Sequence, residues 1–236
     1  MVRKLGSQVP LEKGDHDALL ALSHTVRTCD PATILVPEGE SPAACVVLLS
    51  GFAFREKRTS QGKRQIVSVY VSGDALNFDR LFLNAVDEDT LAMTSVDVAI
   101  IPREALLELT RSRRAVADAM VVSTLVEGSI AREWMFNIGR RDGFSRVAHL
   151  LCEFAVRLDA VGLAYGKTKG FYLPMSQDQL ADALGLSPVH VNRMLKSLEA
   201  EGLIKRKERW ITFPKWDELC EITDFSSRYL HLMNRP

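Results

Sequence analysis

Apolar and polar residues follow two rhythms along this chain, and the change from one to the other divides it. Residues 15–26 place Leu19, Leu20 and Leu22 on one side, which predicts a short helix. From Thr33 the texture becomes short apolar runs, Thr33–Val36, Cys45–Phe54, Gln65–Ser72 and Ser95–Ile101. Turn-forming groups separate them: Pro37-Glu38-Gly39, Ser60-Gln61-Gly62 and Ser72-Gly73-Asp74. Short runs at this spacing predict an antiparallel β-roll or compact sandwich.

After Pro102 the period lengthens to that of helices, expected over 103–111 and 113–138. The longer one carries Val116, Ala119, Val126, Ile130 and Trp134 in a stripe suited to a partner helix, which predicts a homodimer. Gly139-Arg140-Arg141-Asp142-Gly143 breaks the pattern. The expected organisation is therefore α+β: a β-roll over 1–111, a dimerisation helix over 112–138 and a third part over 139–236. Within that third part, Val147, Leu150, Leu151 and Phe154 form the apolar face of a helix over 145–158. A loop over 159–170 and a short extended piece, Tyr172–Met175, come after it.

Ser176-Gln177-Asp178-Gln179 is a capping box, in which each end residue satisfies an orphan amide of the other. Leu180, Ala183 and Leu184 give the short helix after it a buried face, and Gly185 stands where a left-handed C-cap is wanted. Ser187 offers a second N-cap and Pro188 fits the first helical position. The second helix buries Val191, Leu195 and Leu198. Its opposite face presents Val189, Asn192, Arg193 and Lys196, with His190 at the flank and also expected among the base readers. Arg193 has the fork to bond guanine, and Asn192 can reach a base edge. Val189 can at most touch a thymine methyl. Ser176, Gln177, Ser187 and Lys196 suit phosphates. Two short β runs around Lys205-Arg206-Lys207-Glu208-Arg209 then make a basic wing whose cations suit the DNA backbone. Helix, tight turn, helix and basic hairpin together predict a winged helix-turn-helix.

Charge changes this picture little. Residues 1–138 carry 15 Lys and Arg against 18 Asp and Glu, and residues 139–236 carry 15 against 12. The four cysteines, Cys29, Cys45, Cys152 and Cys220, have neither disulfide nor metal spacing, so no metal site is expected. No apolar stretch approaches the ~20 residues of a membrane span. No apolar run comes after Arg3 and Lys4, so no signal peptide is expected and the cytoplasm is the expected address. The sequence contains no phosphate-binding glycine loop and no Ser/His/Asp arrangement, and no enzyme is expected.

Ser176–Ile204, Gly73–Phe82 and the stretch Trp134–Asp142 resemble the Crp/Fnr family of transcription factors. The resemblance implies a cyclic-nucleotide-binding-like β-roll, a long dimerisation helix and a winged helix reading pseudo-palindromic double-stranded DNA. Its half-sites would lie about 34 Å apart. RNA polymerase is a further partner implied by the resemblance. The family's groove-facing positions fall on Pro188, Val189, Asn192 and Arg193; members often carry glutamate where Val189 stands, so a different base preference is expected. The effector positions fall on Asn77, Phe78 and Arg80. Asn77-Phe78 replaces the Gly-Glu pair that holds ribose, and no arginine lies between Leu83 and Ala92 to meet a cyclic phosphate. The sequence therefore argues against cyclic AMP. It argues equally against an iron–sulfur cluster, since no cysteine precedes Cys29. Nothing in the placement of His16, His24 or Cys45 supports haem. A protein-docking module with a vestigial DNA-binding part is the alternative left open at this point.

Overall fold

The structure is a computed structural model and describes residues 1–83, 85–164 and 170–232. The chain packs as two compact units, the first mainly Met1–Gly62 and Val67–Gly128 and the second mainly Ser129–Leu230. The first opens with α1 (Val2–Gly6) and α2 (Lys13–Leu20). Seven strands come next: β1 (Thr25–Cys29), β2 (Ile34–Val36), β3 (Ala44–Ser50), β4 (Ala53–Arg58), β5 (Arg64–Tyr70), β6 (Asp89–Ala92) and β7 (Val96–Pro102). They form two sheets, ordered β1-β7-β3 and β2-β6-β4-β5. Leu48, Ala53, Leu76 and Val98 belong to one core drawing on strands of both sheets. On the other face of the three-stranded sheet, Cys45, Val47, Ala99 and Ile101 pack with Leu5, Leu19 and Leu106. Period-two alternation along β3 and β7 thus feeds two cores at once.

The sequence expectation needs four local corrections. The helix expected over 15–26 ends at Leu20, and Thr25–Cys29 is instead β1, paired antiparallel with β7. The run Cys45–Phe54 is two strands, because the chain turns at Gly51 with φ +77°. A Cβ there would sit 2.3 Å from the Ser95 carbonyl oxygen. The short β6 carries too few apolar residues to have stood out. The fourth is that the wide loop expected over 159–170 is helical at its start, since α5 (Gly143–Ala160) runs to Ala160; residues 165–169 lie outside the described residues.

After β7 the chain enters two helices, α3 (Arg103–Ser112) and α4 (Arg114–Arg140). α4 is one continuous helix of 27 residues that ends at Arg140, and α5 begins at Gly143, so the helical pattern breaks within the expected Gly139–Gly143 stretch. Its expected dimer stripe faces inward instead. Val116 and Ala119 are fully buried in the core shared with β3 and β7, Val126 is buried, Ile130 is half-buried, and Trp134 is buried with its indole N–H on Glu153. Val116 and Ala119 thus belong to this chain's own core, Val126 and Trp134 are buried without a second copy, and Ile130 stays partly exposed. The large exposed apolar residues of α4 are Val121 (58%), Leu125 (64%), Met135 (71%) and Phe136 (51%).

The second unit adds α5, β8 (Phe171–Tyr172), α6 (Gln177–Leu184), α7 (Pro188–Ala200), β9 (Lys205–Lys207), β10 (Trp210–Thr212) and α8 (Trp216–Ile222). Its small sheet runs β8-β10-β9. The segment from Trp216 gains a role absent from its sequence: Trp216, Phe225 and Tyr229 continue a chain of ring contacts from Phe171 and Phe213. Residues 233–236 lie outside the described residues. The Tyr229 hydroxyl donates to Glu153 Oε2 at 2.8 Å. Glu153 is fully buried and also accepts from Trp134 Nε1 and Arg157 Nη1.

His149 lies in the same core, stacked on Tyr229 at 5.9 Å and edge-on to Phe225. Glu133 Oε1 is 3.1 Å from its Nε2, but Arg141 holds that same oxygen at 2.8 Å. With the carboxylate already paired, burial and then the Arg141 charge dominate, and the imidazole pKa falls to about 3. Below its ordinary value of 6.5, the unfolded imidazole takes a proton that the folded one refuses, so acid destabilises the fold across that window. Stability is expected to fall by about 2 kcal/mol more between pH 7 and pH 5 in the native chain than in His149→Phe. Urea midpoints at the two pH values check this; parallel losses would contradict it.

Candidate nucleic-acid interface

The helix-turn-helix forms as its caps dictate. Ser176 Oγ accepts from the Gln179 amide at 3.1 Å, and Gln179 Oε1 accepts from the Ser176 amide at 2.8 Å. Gly185 ends α6 in the left-handed conformation, φ +62°. Ser187 then caps α7, its Oγ accepting from the His190 amide at 3.2 Å. Both serines use an acceptor lone pair for capping, which leaves their hydroxyl protons as donors. Arg146 of α5 fixes the turn from below. Its Nη1 donates to the Leu184 carbonyl at 2.9 Å and its Nη2 to the Arg141 carbonyl at 3.0 Å.

Val191, Leu195 and Leu198 are buried, which turns the opposite side of α7 outward. Pro188, Val189, Asn192, Arg193 and Lys196 line one groove there with Gln177 of α6. Pro188, Val189, Arg193 and Lys196 are exposed and Asn192 is half-buried. His190 departs from its expected base-reading place. It is half-buried, with its ring against Gly143 at the start of α5, where a Cβ would come within 2.7 Å of Nε2. The glycine makes room for the imidazole, and the ring packs rather than reads.

The wing holds Lys205 and Lys207 exposed on β9. Arg206 is braced instead, donating to Glu199 Oε2 of α7 at 2.5 Å, which holds that carboxyl below its usual value. Arg209 is exposed and bonds the Pro174 carbonyl at 3.2 Å. Arg206 thus ties the wing to α7, and its guanidinium is less available to a phosphate than its neighbours are. The sequence reading missed Arg146 and the pairing of Glu199 with Arg206; Arg146 stands out as a charge beside the apolar face of α5, whereas Glu199 and Arg206 stand in charged stretches that give no such signal.

Residues 145–222 match the Crp-like helix-turn-helix domain, and residues 26–113 match the cyclic nucleotide-binding domain. The transcriptional activatory protein AadR of Rhodopseudomonas palustris is 30% identical over 203 residues, 86% of this chain and 82% of that protein. The chain belongs to the Crp/Fnr family of DNA-binding transcription regulators. The transcriptional activator FnrL of Cereibacter sphaeroides is 28% identical over 158 residues, 66% of this chain and 63% of that protein. Among solved structures, FixK2 from Bradyrhizobium japonicum shares the fold with a TM-score of 0.77 at 23% identity, covering 87% of this chain and all of that one.

The β-roll of this Crp/Fnr chain does not fit a cyclic nucleotide at the positions the family resemblance marks. Asn77 is buried, its Oδ1 accepting from the Val46 amide and its Nδ2 donating to the Ala44 carbonyl, both at 2.9 Å. Phe78 is buried in the helix-side core. Arg80 is buried and paired with Asp79, Asp87 and Glu88. The three residues expected to line an effector pocket therefore hold the fold together, and no uncompensated cation awaits a phosphate among them.

The cysteines are also engaged in packing. Cys29 lies in the inter-sheet core and Cys45 in the helix-side core, on opposite faces of one sheet. Burial pushes the Cys45 thiol up to about 12. Among the described residues no three His, Cys, Asp or Glu side chains gather at a metal-sized site, and no helix is long and apolar enough to cross a membrane.

Gly185→Ala should cost about 1 kcal/mol or more, since its backbone is held at φ +62°, a left-handed conformation that an L-residue resists. A thermal melt of the variant checks this, and an unchanged midpoint would contradict it.

Proposed function

We propose that the chain acts as a homodimer that reads pseudo-palindromic DNA through α7, without catalysis and without a cyclic nucleotide. The observation that carries this reading is the exposed Val189–Asn192–Arg193 face. Its opposite side is buried and its entry is fixed by Gly185 and Arg146. Arg193 takes a guanine edge, Asn192 a neighbouring base, and Ser187, Lys196, Lys205 and Lys207 the backbone. RNA polymerase as a partner and a cytoplasmic setting come with the family.

The dimer seam belongs on the outward face of α4, one step round from the stripe read in the sequence. Val121, Leu125, Gly128, Arg132 and Met135 repeat at alternating separations of four and three, the a/d spacing of paired helices. A second copy suits this face because a two-fold axis lays the same stripe against itself.

A buried network ties the β-roll to that helix. The Arg55 guanidinium bonds Asp79 at 3.1 Å, meets Glu127 of α4 at 3.3 Å and donates to the Leu76 carbonyl at 2.8 Å. The Tyr70 hydroxyl donates to the same Glu127 carboxylate at 2.5 Å. In this reading these side chains themselves hold α4 on the β-roll, and DNA binding needs no effector.

Arg193→Ala is expected to cost about 1–3 kcal/mol on the bound site and to relax choice at one base pair per half-site. Lys205→Ala is expected to weaken all sequences alike and to lower the salt slope by about 1. Fluorescence anisotropy across a salt series separates them; uniform weakening by Arg193→Ala would remove its base-reading role. Leu125→Glu is expected to give a folded monomer with weaker DNA binding. Sedimentation equilibrium tests this, and an unchanged dimer would move the seam elsewhere.

A further inference from the structure

We propose that Val189 selects a thymine in each half-site by packing on its C5-methyl group; this rests on the DNA-binding reading above. Val189 is 80% exposed, and among the described residues no large apolar side chain stands further out. It is the second residue of α7, at the end of a recognition helix that enters the major groove. Pro188 beside it is exposed as well, so the tip of the helix is an apolar ridge two residues long.

The ridge is set in polar surroundings. Gln177, Asn192, Arg193 and Lys196 share its groove, and each can hydrogen-bond a base or a phosphate. Val189 can do neither. Pressed against the cytosine amino group or the guanine O6, it would strip water from a polar atom and return no bond. Thymine alone offers an apolar group at that edge, the methyl. The preference therefore has two parts, burial of a methyl group in the right pair and an uncompensated desolvation in the wrong ones. Arg193, four residues on, lies on the same face one turn along the helix, so the thymine and the guanine read by Arg193 belong to one short block.

The test uses the DNA fragment that the full-length protein protects. Each thymine of one half-site is replaced in turn by uracil, which removes only the methyl. One position is expected to lose about four-fold in affinity, the effect of one buried methyl group, and the others to change little. Val189→Ala, on an exposed site that leaves folding alone, is expected to reduce that loss at the same position. Val189→Glu is expected to move the preference there toward cytosine, whose amino group a carboxylate accepts. A protected fragment indifferent to every uracil substitution would overturn the proposal and leave DNA binding standing. So would a methyl effect of full size in Val189→Ala. Failure to protect any fragment would overturn the DNA-binding reading, and this proposal with it.

Discussion

One guanidinium, that of Arg146, holds two chain ends that would otherwise be left open. The last carbonyls of a helix have no partner within it, and a buried one left unpaired costs about 1–3 kcal/mol. Arg146 takes the Leu184 carbonyl at the end of α6 and the Arg141 carbonyl just beyond α4. Next to it, Gly185 bends the chain in a conformation that other residues resist, and Ser187 starts α7. The direction of the recognition helix is thus set within a few residues. Everything the outer face of α7 does depends on that direction, since a hydrogen bond to a base edge forms only within a narrow range of distance and angle.

Behind this joint lies the buried carboxylate of Glu153. A lone charge there would be prohibitive, and three donors from different places meet it: Trp134 near the end of α4, Arg157 one turn along α5 and Tyr229 in the C-terminal segment. Removing any of them would leave a charge poorly compensated, so the three elements are bound to one another more tightly than their apolar contact alone would require. The first unit repeats the device with opposite sign. There Arg55 is the buried charge, and Asp79, Glu127 and the Leu76 carbonyl surround it. α4 is therefore held near its middle by Glu127 and near its end by Trp134, two anchors on one uninterrupted helix.

What could be read from the sequence is what local chemistry decides alone. The capping box at Ser176, the glycine at the end of α6, and the Ser-Pro start of α7 act over three or four residues, and each forms as its side chains require. The fold class was legible for the same reason, since strand runs and helical stripes differ in period. Tertiary choices were not. Val116 and Trp134 have the spacing of a seam, yet helical spacing marks a buried face without saying what buries it. The neighbouring stripe at Val121, Leu125 and Met135 is interrupted by Gly128 and Arg132, which hid it. Asn77 and Arg80 stand where the family resemblance led an effector pocket to be expected, and only the fold reveals the backbone and carboxylates that engage them.

On the function proposed above, this protein finds its DNA with its β-roll already held by its own side chains. Selection of genomic fragments by the purified full-length protein, with no small molecule added and with footprints taken on those recovered, tests this most directly. One enriched pseudo-palindrome is expected, with half-sites about 34 Å apart, protected equally with and without cyclic AMP. Enrichment that appears only when cyclic AMP is present would contradict it, as would recovery of fragments sharing no sequence.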